Sequence, residues 1–420
     1  MFTVIISSTR RETIGRREEK SCSIEQDCIE KENHFSFQCG RFFPFNIEYI
    51  NYYGEFLISS CASYLDEDFS IVTEKIKYRF VASHSEGVFI VSERGKNMSL
   101  EGEEVFIVKK YSIREKLGVV HWGGNYRLTD DDYLIEGAKQ VKKMSIKHFK
   151  IYAGRKSDST YFTENNSKQL IDVLRQPDYV SVFEMGFEKI VIVAHSTFEK
   201  SSNYWKLDFT AKDSQQETET FKEVAMELSK YPGTKFIITN WEGDCMVNND
   251  RNSDVYNRMM LWVKARQLGF NLARNKGVTN VYHGLEVNLV AQSVFQGIIS
   301  VTTEVLPRVI IDYVSYSCYD CKGEEDLNLC VQFIKSKTTA NFIFGEFGTP
   351  INAVNPEDGL KYFNAVISTV DNLGIELCFY WQIYDNEYEI RDGVKTPRGF
   401  GIINPNGICS SFWGLFSLGF

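Results

Sequence analysis

Four absences narrow the field before any motif is read. No basic surplus exists: 47 Lys and Arg face 56 Asp and Glu for a net charge of −9, which argues against a nucleic-acid partner, since phosphate recognition draws on basic surface. No apolar run approaches the roughly 20 residues of a membrane span, so no membrane partner is expected. The first residues, "MFTVIISSTRRETIGRREEKSC", carry too short an apolar run, with the basic residues on its wrong side, for a signal peptide. The expectation is a cytoplasmic protein, one secreted by another route, or a misassigned start. No HxH or HExxH spacing appears, and the single CxxC at Cys318–Cys321 has no partner pair, so no metal and no cofactor are expected.

The cysteines that are present, ten in all, read mainly as structural or free thiols. Cys22, Cys28, Cys39 and Cys61 crowd the first segment, where a local disulfide is the alternative. Aromatic residues are abundant, with 31 Phe, 22 Tyr and 6 Trp. They suit an aromatic core, and equally a cleft that stacks on flat apolar ligand faces.

From about residue 118 the chain alternates strand-like apolar runs with amphipathic stretches. The strand candidates are 117–124, 148–154, 189–196, 235–244, 280–288, 309–317, 341–348 and 375–382. Helical patterns separate them, such as "ETFKEVAMELSKY" and "PEDGLKYFNAVISTVDNLG". Eight such units predict an α/β fold, a (β/α)₈ TIM barrel, over 118–420 with its C-terminal tail. A doubly wound open sheet is the rival, but "HWGGNY" is not its Gly-rich phosphate turn. Residues 35–117 read as a small β-rich N-terminal region and 1–34 as disordered or irregular.

In such a barrel the active site lies at the carboxyl ends of the strands. Those ends hold His121 and Trp122, Tyr152, His195, Asn240, Trp241 and Glu242, Tyr282, His283 and Glu286, Tyr316, Glu346, and Trp381. Strand alternation puts Phe236, Ile238, Asn240 and Glu242 on one face, and Phe342, Phe344 and Glu346 on one face. With the phenylalanines inside, the two glutamates stand opposed at the barrel mouth. Two carboxylates across a pocket take unequal pKa values, and such a pair serves glycosidic bond cleavage. Retention predicts a separation of about 5–5.5 Å. Trp205 is a candidate cleft wall or core residue, and Asp244 an orienting group or loop start. An aldolase of the Schiff-base type wants a strand-end lysine, and no strand candidate ends in one.

On these residues the chain resembles clan A of the glycoside hydrolases over roughly 118–404. "FGEFGTP" is similar to the nucleophile strand of its cellulase-like members, which implies Glu346 as nucleophile. "ITNWEGD" falls where the clan has Asn followed directly by Glu, which implies Glu242 as acid/base and Asn240 as a hydroxyl-binding partner. Trp241 separates the two, a departure from the pattern. The resemblance implies Trp381 as a sugar platform and Tyr316 as a contact of the nucleophile. His121, Trp122, His195, Trp241, Tyr282 and His283 are further candidates for carbohydrate binding. The activity implied is a retaining glycoside hydrolase acting by double displacement on an oligo- or polysaccharide. A weak or inactive carbohydrate-binding barrel, or a transglycosylase using the same pair, is the alternative.

Overall fold

A computed structural model describes residues 115–409, save 124–125, 155–160, 162–168, 197–199, 202, 248–251, 351, 353–355 and 392, together with the course of six strands before residue 93. The cysteines of the first segment and most of residues 1–34 lie outside the described residues. The chain divides into two units, Met1–Ser112 with Ser411–Phe420, and Ile113–Ser410. In the first, the six strands form one sheet, in the order Val4–Ile5, Val88–Ser92, Ser7–Thr9, Lys77–Ser83, Glu55–Ser60, Phe45–Ile50.

The second unit is a closed barrel of eight parallel strands. They are β1 (Leu117–Val120), β2 (His148–Ala153), β3 (Lys189–Ala194), β4 (Lys235–Thr239), β5 (Val281–Val287), β6 (Tyr313–Ser317), β7 (Asn341–Phe347) and β8 (Cys378–Tyr380). The ring closes where β8 pairs with β1 through Cys378 and Leu117. Nearly every strand residue is buried, because side chains fill the inside while helices cover the outside. That is why the strands read as continuous apolar runs rather than alternating ones.

The covering helices are α1 (Tyr133–Lys143), α2 (Leu170–Leu174), α3 (Pro177–Glu184), α4 (Ala211–Leu228), α5 (Gly243–Val247), α6 (Ser253–Arg274), α7 (Val290–Gln296), α8 (Val301–Glu304), α9 (Glu324–Lys335) and α10 (Pro356–Asn372). Local chemistry sets their ends. Thr210 and Asp213 form a capping box that starts α4, satisfying two otherwise unpaired backbone N–H groups. Gly374 follows α10 at φ +61°, a left-handed conformation that glycine adopts without steric cost.

The strand faces correct two expectations. Phe236 packs edge-on against Phe183 of α3 and against Tyr231, so it faces the helices. The inward residues of β4 are Ile237 and Thr239, which approach Gly284 inside the barrel. On β7, Phe342 packs on Phe344 and Phe344 on Tyr316, whose hydroxyl meets Asp320 and the Cys321 thiol. This row also faces outward. Glu346 nevertheless reaches the interior, because β7 carries a bulge: Tyr316 pairs with Phe344, but Ser317 pairs with Glu346. The extra residue, Gly345, points inward too. Any side chain there would collide with the Ser315 hydroxyl and the Glu286 carboxylate. A bulge thus does what simple alternation was expected to do.

Candidate active site

The centre of the site is a lysine. Lys150, in the middle of β2, is fully buried. Its ammonium has three donors, and three acceptors receive them: Glu286 Oε2 at 2.7 Å, Glu346 Oε1 at 2.8 Å and the Gly345 carbonyl at 3.2 Å. Burial alone would discharge it, but the two carboxylates hold its pKa above the ordinary lysine value. It is therefore a fixed cation and not a free amine.

Glu346, at the end of β7, also accepts from the Tyr152 hydroxyl at 2.7 Å, again on Oε1. Lys150 and Tyr152 thus converge on one oxygen. Among the described residues no hydrogen bond ends on Oε2. Burial raises the pKa of Glu346, with the Glu286 charge adding to it, while Lys150 and Tyr152 pull it back. The Tyr152 phenol is held far above its usual range, by burial first and then by the Glu346 and Glu286 charges, so it stays a donor.

Glu242 has the opposite surroundings. β4 ends at Thr239, and Glu242 stands in the turn into α5, where its carbonyl accepts from Met246 N–H at 2.9 Å. Its carboxylate accepts from Asn288 Nδ2 at 3.3 Å and meets the Cys245 thiol, and no cation bonds it among the described residues. Burial, and next the charge of Glu346, push its pKa up to about 8. Two carboxyl groups that lie in each other's field therefore have unlike environments: one is bonded to an ammonium, and the other has no cation to offset its burial.

Aromatic rings border this pair. The Trp381 ring stands edge-on to Tyr152 (6.5 Å between centroids) and tilted against Trp122 (5.8 Å). Its indole N–H donates to Glu387, whose other oxygen holds Arg398 at 2.6 Å. Trp241, 41% exposed, lies immediately before Glu242. The inserted tryptophan therefore faces solvent. Tyr319 lies in the field of Glu346, Glu242 and Glu387, with its ring edge-on to Phe400 at 6.3 Å.

Several expected ligand-facing residues lie elsewhere. His121 is buried against Phe149, Tyr161 and Tyr384, with Nε2 at 2.7 Å from the Tyr133 carbonyl. Burial lowers its pKa to about 4, so it is a neutral core histidine. His283 is stacked on Phe270 of α6 and bonded to Gln267 at 3.0 Å. Burial, then the charges of Arg266 and Arg274, hold its pKa well below the usual value. Tyr282 lies near the amino end of β5, against Tyr313 and under the Lys235 ammonium, far from the mouth. Tyr316 faces outward as described. Asn240 uses its amide on the backbone of Glu286, accepting from its N–H and donating to its carbonyl, both at 3.0 Å. It extends the β4–β5 ladder rather than binding a ligand. Trp205 is core, stacked on Trp262 at 5.5 Å. His195 is buried just past the end of β3, its backbone N–H donating to the Ala153 carbonyl at 3.2 Å. Asp244 accepts from the N–H groups of Val301 and Asn288, joining α5 to the β5 loop; burial raises its pKa to about 7.

Lys150 and Ser315 escaped the sequence reading because each sits inside a strand rather than at its end. The signal available was the charge itself: a lysine within "HFKIYAG" has no inexpensive place inside a barrel unless carboxylates meet it. Among the described residues, no group of three His, Cys, Asp or Glu is placed to hold a metal, and no helix is long and apolar enough to cross a membrane.

Among solved structures, the chain is similar to a GH5_18 protein from Bifidobacterium longum subsp. infantis, with 11% identity, a TM-score of 0.51, and coverage of 73% of this chain and 78% of that one. It is also similar to the exo-β-1,4-mannosidase of Opitutaceae bacterium strain TAV5 (10% identity, TM-score 0.49, 72% and 58% covered). A GH1 β-glucosidase from Exiguobacterium antarcticum B7 gives 10% identity, a TM-score of 0.49, and 73% and 97% covered. No family model matches the sequence, and no curated protein does. At these identities the likeness to the first structure shows the fold, a (β/α)₈ barrel.

Proposed function

We propose that the protein is a retaining glycoside hydrolase that cleaves O-glycosidic bonds of an oligo- or polysaccharide. The observation that carries the reading is the unlike environment of two carboxyl groups that lie in each other's field. Glu346 is bonded to Lys150 and Tyr152 through Oε1, two donors that favour its carboxylate form, and offers Oε2 to the anomeric carbon. Glu242, its pKa raised to about 8, is protonated near neutral pH and donates to the leaving oxygen. After the glycosyl-enzyme forms, the charge on Glu346 is gone, the Glu242 pKa falls, and its carboxylate takes a proton from the water that completes the cycle. Trp381 and Trp122 supply flat faces for the C–H surface of a sugar ring. The family resemblance of the sequence and the glycosidase names carried by the similar structures agree with this reading.

Trapping tests it. A panel of activated 2-deoxy-2-fluoro glycosides (gluco, manno and galacto forms) is incubated with the full chain, and the labelled peptide is mapped by mass spectrometry. The label is expected on Glu346. A label on any other residue, or hydrolysis with inversion of the anomeric centre, overturns the assignment.

A further inference from the structure

A third glutamate occupies this site, and the two-carboxylate mechanism has no role for it. Glu286, on β5, is fully buried. Its Oε2 accepts from Lys150 at 2.7 Å and from the Ser315 hydroxyl at 2.7 Å. Its Oε1 lies 3.4 Å from the Glu242 N–H. Its own backbone is clamped at both polar atoms by Asn240. Gly345 exists, in structural terms, to leave room for it.

We infer that Glu286 is a positioning residue for both catalytic glutamates, an inference that rests on reading Glu346 as nucleophile and Glu242 as acid/base. One ammonium is shared between two carboxylates, so Glu346 does not own it. A one-to-one pair would hold Glu346 Oε1 more tightly and blunt its partner oxygen as a nucleophile. A half-share keeps Glu346 charged yet reactive. Through Oε1 the same side chain anchors the turn that carries Glu242. A buried carboxylate next to two others is a costly packing element, and a neutral residue would fill the space as well. The charge is what the arrangement uses.

The groups facing Glu286 are Lys150 and Tyr152 from β2, Glu242 from the turn after β4, Ser315 from β6 and Glu346 from β7. Tyr319 and Glu387 border the same pocket. Glu286 repels negative charge on both Glu242 and Glu346. Its neutralisation therefore lowers both pKa values.

The test is Glu286→Gln in the full chain labelled with ¹³Cδ-glutamate. The carboxyl resonances of Glu242 and Glu346 are assigned from Glu242→Gln and Glu346→Gln spectra. Both titrations are expected at lower pH than in the wild type. The bell-shaped kcat/KM profile on an aryl glycoside is expected to move to lower pH as a whole, with its maximum down by about 10- to 100-fold. Unmoved titrations accompanied only by a lower Tm would reduce Glu286 to a structural residue and overturn the inference. If the Gln variant does not fold, Glu286→Asp replaces it: the charge stays, the reach to Lys150 shortens, and kcat is expected to fall with the profile in place. An unchanged kcat there overturns the inference as well. Failure of the underlying reading shows separately, as a fluoro-sugar label on a residue other than Glu346 in the wild type.

Discussion

Replacing Lys150 by Met removes the only cation that bonds Glu286 and Glu346 among the described residues. Methionine nearly matches the lysine stem in volume, so the substitution isolates the charge. Taking one partner from a buried ion pair costs about 3–5 kcal/mol, because the remaining charge is left without compensation. For a unit of this size that is roughly 5–8 °C in Tm. The pH dependence has a definite sign. Without Lys150 the Glu346 carboxyl, already pushed up by burial, has its folded pKa raised further above its unfolded value. Such a group contributes stability that is complete below the unfolded carboxylate range and is lost as pH rises through the folded pKa. The variant is therefore expected to approach wild-type stability at acidic pH and to fall furthest behind it at pH about 8. Thermal melts of both proteins from acid to mildly alkaline pH, read by circular dichroism, measure this. Lys150→Met combined with Glu286→Gln should recover part of the loss, since one of the two orphaned charges has gone; the coupling is expected at about 1–3 kcal/mol. A Lys150→Met protein as stable as wild type at every pH, or a deficit that does not vary with pH, would refute the charge-sharing account.

In the proposed mechanism, Glu242→Gln removes the proton that the leaving group needs. With a pKa near 8 in the wild type, activity should decline as pH rises through that value, and the variant should lose this alkaline limb. Its kcat/KM on a poor leaving group should drop about 10²- to 10⁴-fold, with much less loss on a dinitrophenyl glycoside, as read by initial rates on both substrates. Gly345→Ala puts a methyl group into the Ser315 hydroxyl and the Glu286 carboxylate. A loss of about 1–3 kcal/mol of stability, with most activity, is expected from urea titration and rate assays. Arg266→Met breaks a network outside the barrel, where Glu217 holds Arg266 at 3.2 Å and the Trp262 indole at 3.0 Å. It should cost about 3–5 kcal/mol while leaving the pH optimum in place, which separates core damage from site damage.

The fold was legible because each of its parts is local. A buried parallel strand must be apolar on both faces, and an amphipathic helix must repeat with its own period, so the eight runs announce themselves. The placement of Glu242, Glu346, Trp122 and Trp381 at strand ends was legible for a related reason: a strand end is marked by where its apolar run stops. The misreadings came from alternation. His121 and Tyr316 stand at strand ends, yet their side chains pack among the surrounding elements, while Tyr282 and His283 lie at the amino end of β5, far from the mouth. One residue of phase decides between pocket and core. At β7 the phase itself shifts at Gly345, and no pattern within the strand marks it.

By its own terms, then, the amino-acid sequence determined a barrel with carboxylates and aromatic rings at its mouth, since periodicity and strand-end position are properties of neighbouring residues. Tertiary structure alone decided which of those residues meet. Lys150, Glu286 and Glu346 lie 136 and 196 residues apart along the chain from that lysine. A lysine inside a strand is unfavourable until the closed barrel brings two carboxylates to it. The Asn240, Trp241, Glu242 segment shows the same division. In the sequence Trp241 breaks an expected pair. In the fold Asn240 clamps β5, Trp241 turns to solvent, and Glu242 enters the pocket from a turn, because the geometry there is set by β5 and not by alternation along β4.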